Sequence, residues 1–489
     1  MLRGACPGRI SGGRLPECLE DLMRHICLLV LGSVLGGGLG AAVHAAQPLP
    51  PPPFGLSEVH TGPEADRRVA WWREARFGMF IHFGVYSVAG HGEWARFSEQ
   101  IPQREYAKLA DHFTPDPKAP EEWVRVARQT GMKYMVLTAR HHDGFALFDS
   151  RSNEFNSVRT AAHQDIVREF TAAARAGGMR VGLYYSPLDW RFPGYFFPDL
   201  YRESAEAMGD QYHQEMAQLA SRYGKLDLIW FDGGGEQWLG FGGIEFDGGR
   251  WQSRDRSKPY SGAFSWQDDL VTAHLRQLQP QILINDRTSA PGDWRTREGA
   301  DRLGGFDNVQ PWELCVTLAG TWGYQPGAQP RSLQELVLLL TNTAARDGNL
   351  LLNVGPAPSG QIPADQIARL QELGRWLQSH GRAIYGTRGG PFLPSAQMGS
   401  TRIGKTIFLH VLPGPDGTTP LRSLVLPEFP GGPKLLRARV LGAAGDLRMQ
   451  RAKSGEVRIA LPGPTGVAAT IIVELTYDGS VMDLAPRAL

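Results

Sequence analysis

Apolar and polar positions fall into two textures along the chain. From residue 77 to about residue 390, short apolar runs alternate with stretches whose apolar residues recur every three or four positions. The runs at 77–84, 134–138, 180–186, 226–232, 281–287, 309–315 and 349–355 read as strands. Between and after them, 121–129, 165–176, 201–223, 268–278, 332–345 and 364–379 read as helices. In 165–176, for instance, Ile166, Val167, Phe170 and Ala174 share one helical face, and Gly177-Gly178 stops the helix. Apolar runs without alternation are strands buried on both faces, and strands alternating with helices imply a parallel sheet. This is an α/β pattern, and its count fits a (β/α)8 TIM-like barrel. A doubly wound open sheet is the alternative, but no glycine-rich phosphate fingerprint follows the first strand.

The second texture begins near Phe392. Runs at 407–411, 423–426, 435–441, 457–461 and 469–476 are rich in β-formers and separated by Gly/Pro turns, which reads as an antiparallel β-sandwich. It carries no chemistry-bearing cluster, so its expected role is support or sugar binding. We therefore expect a catalytic barrel over 67–390 and a C-terminal sandwich over 391–489.

The N-terminus has the pattern of a segment that is removed. Arg14, Arg24 and His25 precede an apolar run at 26–35, which leads through small residues to Ala45 and Ala46. Residues 1–46 read as a signal peptide and 47–66 as a proline-rich tether. The expected product is exported, periplasmic or extracellular, with no membrane attachment after cleavage. Cys6, Cys18 and Cys27 would leave with the leader, so Cys315 remains alone and no internal disulfide is expected.

Composition narrows the partner. A net charge of +1 over 489 residues argues against nucleic acid or a membrane surface. Eight of the 13 Trp residues fall between Trp190 and Trp322, a mild sign of carbohydrate, although large cores also use Trp. Oligomeric state is not legible in the sequence.

The candidate chemistry sits at strand ends, which converge on one mouth in a barrel. The run 226–232 ends in Asp232, followed by three glycines that leave room beside the acid. Other runs end with His82, with His141 and His142, with Tyr184, and with Asp286 and Arg287. The stretch 233–266 lacks periodicity and is rich in Gly and aromatics, as a binding wall would be. A His/His/Asp set could hold a divalent metal. Neighbouring histidines on a strand point to opposite faces, however, which disfavours that use. Glycoside cleavage instead needs two carboxyls. Asp232 is one, and Glu236, Glu298 and Glu313 are candidates for the other that spacing alone does not separate.

Over residues 68–390, the motifs FGMFIHFG, GEW, ARHHDGFALFDS, GLYYSPLDW, LIWFDG, INDR, WELC, TWGY and NLLLNVGP resemble, in order, those of the alpha-L-fucosidases of glycoside hydrolase family 29. The resemblance implies a barrel followed by a β-sandwich, and hydrolysis of terminal alpha-L-fucose with retention and without a metal or organic cofactor. It makes Asp232, in Trp230-Phe231-Asp232, the nucleophile. It places the acid/base at Glu298, although Arg297 stands before it where the family more often has Thr-Pro. Glu313 becomes a supporting residue. The sugar contacts carry over onto His82, Glu93, Trp94, His141, His142, Tyr184, Trp230, Arg287 and Trp322, with Trp322 walling the sugar methyl. Arg140 and Asp143 are expected to brace the histidine pair. The retaining geometry implied has carboxyls about 5–5.5 Å apart. The implied partner is a fucosylated oligosaccharide or glycoconjugate. The alternatives are a catalytically silent glycan-binding protein on the same barrel and a metal-dependent hydrolase.

Overall fold

Eight short parallel strands form the frame of the first texture in a computed structural model of the chain. The residues described are 58–234, 239, 244–247, 250–253, 262–413, 421–463 and 470–489. The expected leader, the tether up to residue 57, Glu236, Ala469 and much of 233–266 lie outside them. The strands are β1 (Phe77–Ile81), β2 (Tyr134–Arg140), β3 (Arg180–Tyr185), β4 (Leu228–Phe231), β5 (Leu283–Ile284), β6 (Arg295–Glu298), β7 (Trp312–Thr317) and β8 (Asn349–Val354). Their order in the sheet is β5-β4-β3-β2-β1-β8-β7-β6. The edges β5 and β6 meet through a parallel bridge between Asn285 and Trp294, which joins the curled sheet at a seam. Asp293 secures that seam. Its N–H donates to Ile284 O at 2.6 Å, and its carboxylate takes the Ile284 N–H at 2.8 Å and the guanidinium of Arg68 at 2.8 Å.

The strand β6 differs from the sequence expectation, which left Arg295–Glu298 in a loop and counted seven strands. Its residues, Arg-Thr-Arg-Glu, offer no apolar run, and only Thr296 is buried. Pairing with β7 and a bond from Thr296 N–H to Asp286 Oδ1 at 2.9 Å hold it in place. No helix separates β5 from β6, so the βα alternation breaks at the seam. Val309 also falls outside its expected strand and is 76 % exposed, since β7 starts only at Trp312.

The longer helices are α1 (Pro63–Ala75), α2 (Ala119–Thr130), α3 (Ile166–Ala176), α4 (Arg202–Arg222), α5 (Asp268–Leu278), α6 (Leu333–Ala345) and α7 (Ala364–His380). Their ends follow local chemistry. Asp165 caps α3 by accepting the Arg168 N–H at 3.0 Å, and Ser332 with Glu335 forms a capping box on α6. Helix α1 was not expected, and it begins inside the stretch read as tether. Just before it, Val59 is buried and bridges to Gly292, so residues 58–66 are fastened to the barrel rather than free.

Strand parity divides the core. Outward residues such as Met79, Met135, Leu183, Ile229, Val316 and Leu352 pack against the helices. Inward residues such as Phe80, Val136, Tyr184, Trp230, Cys315 and Leu351 form a second cluster that fills the barrel. The inner residues nearest the C-terminal ends of the strands, Tyr184 and Trp230, become the floor of the site.

In the second texture, β9 (Arg388–Gly389), β10 (Met398–Ile403), β11 (Thr406–Val411), β13 (Leu435–Val440) and β16 (Ile471–Tyr477) form a five-stranded antiparallel sheet. A three-stranded sheet contains β12 (Ser423–Leu426), β14 (Met449–Arg451) and β15 (Val457–Ala460). Leu409 and Val473 from the first share one apolar cluster with Leu424 and Ile459 from the second. The strands β9, β10 and β14 were not expected, and each is either short or carries polar residues along its run.

Candidate active site

All the candidate side chains except Glu236 lie among the described residues, and all of these but Glu313, near the start of β7, stand at the C-terminal ends of the barrel strands or in the loops that leave them. Strand β4 ends at Phe231, which places Asp232 just past the sheet. The backbone then turns through Gly233 with φ +81, where a side chain would be strained. A Cβ on Gly234 would lie 2.7 Å from the Arg287 carbonyl oxygen, so the glycines let the β4 and β5 ends approach.

Asp232 is held on both oxygens. Arg287 donates from Nη1 to Oδ1 at 2.7 Å, and the Tyr184 hydroxyl donates to Oδ2 at 2.9 Å. His142 Nε2 lies 3.6 Å from the same Oδ2. The other arm of Arg287 donates from Nη2 to Glu298 Oε2 at 2.5 Å. One guanidinium therefore carries both carboxylates. Burial alone would lower its pKa, but the charges of Glu298 and Asp232 outweigh burial and raise it. Its face also lies over the Trp230 ring, 4.7 Å from the centroid. Asp232 and Glu298 keep partial solvent access, at 14 % and 25 %, whereas Arg287 is buried.

The aromatic groups form the rest of the wall. Tyr184 stacks between Trp230, at 5.6 Å, and His141, at 5.3 Å. His82 lies 5.6 Å from His141 and 5.1 Å from Trp322. Trp94 packs on His142 at 5.4 Å. Burial lowers the pKa of all three imidazoles, to about 3 for His82 and His142, so they act as neutral donors and acceptors near neutrality. Burial lifts Glu93 to about 7, against the opposing effect of the Gly323 N–H it accepts at 2.7 Å.

Glu313 occupies different surroundings. It is fully buried beneath the pocket and accepts Trp230 Nε1–H at 3.0 Å and the Tyr134 hydroxyl at 2.5 Å. Burial raises its pKa to about 7.

The expected divergence of His141 and His142 does not occur. The pairing of β2 with β3 becomes irregular after Thr138 and β2 ends at Arg140, so both rings turn into the pocket, 4.2 Å apart. Ligand atoms of His141, His142 and Asp232 consequently lie within 4.8 Å of one another. The donor set fits a divalent cation poorly, because both Asp232 oxygens are engaged and a guanidinium lies against one of them. Arg140 and Asp143 brace the neighbouring loops and do not bond the imidazoles. Arg140 donates to Asp189 at 2.5 Å and Asp143 accepts the Tyr106 hydroxyl at 2.8 Å.

The family model for alpha-L-fucosidases matches residues 59–382. The chain belongs to the alpha-L-fucosidase family. The tissue alpha-L-fucosidase of Rattus norvegicus is 30 % identical, over 80 % of this chain and 85 % of its own. Alpha-L-fucosidase isoenzyme 1 from Paenibacillus thiaminolyticus has a similar structure, with TM-score 0.70 and 28 % identity, covering 85 % of this chain and 100 % of its own. The alpha-fucosidase of Thermotoga maritima matches with TM-score 0.64 and 28 % identity, over 83 % of this chain and 96 % of its own. The protein is thus a glycoside hydrolase of the fucosidase type, with a TIM-like parallel sheet and antiparallel sheets after it.

Within this alpha-L-fucosidase scaffold, three polar residues at strand ends escaped the sequence analysis. Asn285 ties β5 to β4 by accepting the Phe231 N–H at 2.8 Å and donating to its carbonyl at 2.9 Å. Ser186 Oγ lies 2.6 Å from His142 Nδ1, and Asn353 on β8 bonds His82. The criterion that found the charged residues, polarity at the end of an apolar run, applies equally to these uncharged ones.

Proposed function

We propose that the pocket hydrolyses terminal alpha-L-fucosides by double displacement, with Asp232 as nucleophile and Glu298 as acid/base. The observation that carries this reading is the guanidinium of Arg287 joined to both carboxylates, at 2.7 Å and 2.5 Å. Two carboxyls on one planar fork are close neighbours, as a retaining pair has to be and an inverting pair separated by a water is not. Glu298 is favoured over Glu313 because it opens on the pocket, whereas Glu313 is sealed beneath Trp230. The Thermotoga maritima relative was solved with a mechanism-based inhibitor, which agrees with a reactive nucleophile in such a site.

In this scheme Asp232 attacks the anomeric carbon from one side as protonated Glu298 releases the aglycone oxygen. A fucosyl ester of Asp232 forms, the Asp232–Arg287 bond weakens as the oxygen gives up its charge, and Arg287 remains beside Glu298. Glu298, now ionised, takes a proton from water, which cleaves the ester and restores both groups. His82, His141, His142, Glu93 and Trp94 orient the ring hydroxyls, while Trp322 walls the methyl. The scheme uses no metal or organic cofactor. We further propose that fucosylated oligosaccharides or glycoconjugates are the substrates and that the protein is exported once residues 1–46 are removed.

Proton NMR during hydrolysis of an aryl alpha-L-fucoside tests the stereochemistry, since fucose first released as the alpha anomer supports the scheme and first released as beta refutes it. N-terminal sequencing of material recovered outside the cytoplasm tests export: a start near Gln47 supports it, and an intact N-terminus on protein retained inside the cell refutes it.

A further inference from the structure

Asn353 stands at the end of β8, buried and between two elements of the wall. Its Nδ2 donates to the Trp322 carbonyl oxygen at 2.7 Å, and its Oδ1 lies 2.7 Å from His82 Nδ1. A carbonyl oxygen only accepts, so the NH2 end of the amide has to face Trp322 and the oxygen end has to face His82. That oxygen also only accepts, so the proton of neutral His82 resides on Nδ1. Nε2 is then an acceptor, and among the described residues no group bonds it. The peptide that receives Asn353 is held a second time, because the N–H of the same peptide unit, from Gly323, donates to Glu93 Oε2 at 2.7 Å. The end of β8 reaches this peptide because residue 355 is glycine: a Cβ there would lie 2.7 Å from Gly323 C and 2.9 Å from the Trp322 carbonyl oxygen.

We propose that Asn353 is a positioning residue that fixes His82 as its Nδ1–H tautomer and locks the Trp322–Gly323 peptide. His82 Nε2 thereby accepts a hydroxyl proton from the bound sugar while the Trp322 ring stays in place. This rests on the pocket being the fucose site. Besides Asn353, burial and the neighbouring His142 keep His82 neutral, and the other titratable groups around it are His141 after β2, Tyr184 on β3 and, beyond the Trp322 peptide, Glu93. Any change at Asn353 therefore reaches the sugar by two routes, through the imidazole and through the indole. A side chain that could only accept would keep the first bond and lose the second.

Two measurements test this on the full chain. In wild-type protein labelled with nitrogen-15 at histidine, with the His82 signals assigned by their loss in His82→Gln, the ring is expected as the neutral Nδ1–H form between about pH 5 and 8. An Nε2–H tautomer, or an imidazolium in that range, overturns the proposal. In Asn353→Asp, the new carboxylate stabilises a doubly protonated ring and repels the Trp322 carbonyl. Its kcat/KM on an aryl alpha-L-fucoside is expected to fall about 10- to 100-fold near pH 5 and to recover partly as pH rises and the ring loses a proton. A loss that keeps the wild-type pH profile would mean that Asn353 serves only stability. Should that variant fail to fold, the labelled wild-type enzyme still decides the tautomer. Wild-type protein that releases no fucose would refute the assignment of the pocket instead, whatever tautomer His82 shows.

Discussion

Asp232 and Glu298 share one guanidinium, the Nη1 of Arg287 serving Asp232 at 2.7 Å and its Nη2 serving Glu298 at 2.5 Å. Arg287 is almost wholly buried, so the guanidinium side of both bonds is shielded from water while the two carboxylates keep partial access to it. The arrangement ties the ends of β4, β5 and β6 together and gives the pocket its charge pattern.

Lysine cannot reproduce that fork, since a single ammonium reaches one carboxylate well and leaves the other uncompensated. Arg287→Lys is expected to lower kcat/KM about 100-fold or more and to reduce thermal stability. Steady-state kinetics on an aryl alpha-L-fucoside, with a melting curve, checks both.

Removing either carboxyl separates the two roles. Asp232→Asn and Glu298→Ala are each expected to lose about 1,000-fold or more in kcat. Azide should restore part of the Glu298→Ala activity with an activated leaving group, because a small anion can attack the ester without base help. A catalytically silent glycan-binding protein would show no wild-type turnover to lose. A chelator is expected to leave wild-type activity unchanged, whereas loss that zinc reverses would support the metal-dependent alternative.

Glu313 gives a stability test away from the chemistry. Burial lifts its carboxyl from 4.5 to about 7 in the folded protein. Between those values the folded state holds a proton that the unfolded chain has released, so stability falls as pH rises through the window. The contribution is on the order of 3 kcal/mol for the whole span. Glu313→Gln, which cannot ionise, is expected to flatten the decline of stability between pH 5 and 7 in denaturant unfolding. Equal slopes in the variant and the wild type would contradict this.

His142 is held at about 3 by burial first and by Arg140 and Arg287 second, so it does not titrate in the working range. His142→Gln is expected to weaken kcat/KM without moving the acid limb of the pH–rate profile. A displaced limb would show that the imidazole ionises during turnover.

The legible parts of the fold were those whose burial is written in apolar runs. Strands β1 to β4 and β8 lie in the barrel wall, buried almost throughout, and apolar residues dominate their sequences. Strand β6 was illegible for the opposite reason: Arg295, Thr296, Arg297 and Glu298 are held by Asp286 and by pairing with β7, which are contacts distant in sequence. That strand delivers Glu298, so the lack of an apolar run at 295–298 hid both the strand and the way its last residue is presented to the pocket. In the site, charged groups at strand ends were conspicuous, whereas Asn353, Asn285 and Ser186 were not, because an uncharged amide or hydroxyl is ordinary until its partners are known. The facing of His141 and His142 depended on β2 losing its regular pairing after Thr138, which no local pattern announces.

The most direct measurement is covalent capture of Asp232. In 2-fluoro-fucosyl fluoride the ring fluorine slows both steps by destabilising their oxocarbenium-like transition states, while the good fluoride leaving group keeps the first step fast, so an ester should accumulate on the wild-type enzyme. Intact-mass analysis is expected to show one fluorofucosyl group per chain, and peptide mapping to place it on Asp232, with no adduct in Asp232→Asn. Turnover without any adduct, or an adduct on another carboxyl, would contradict Asp232 as the nucleophile.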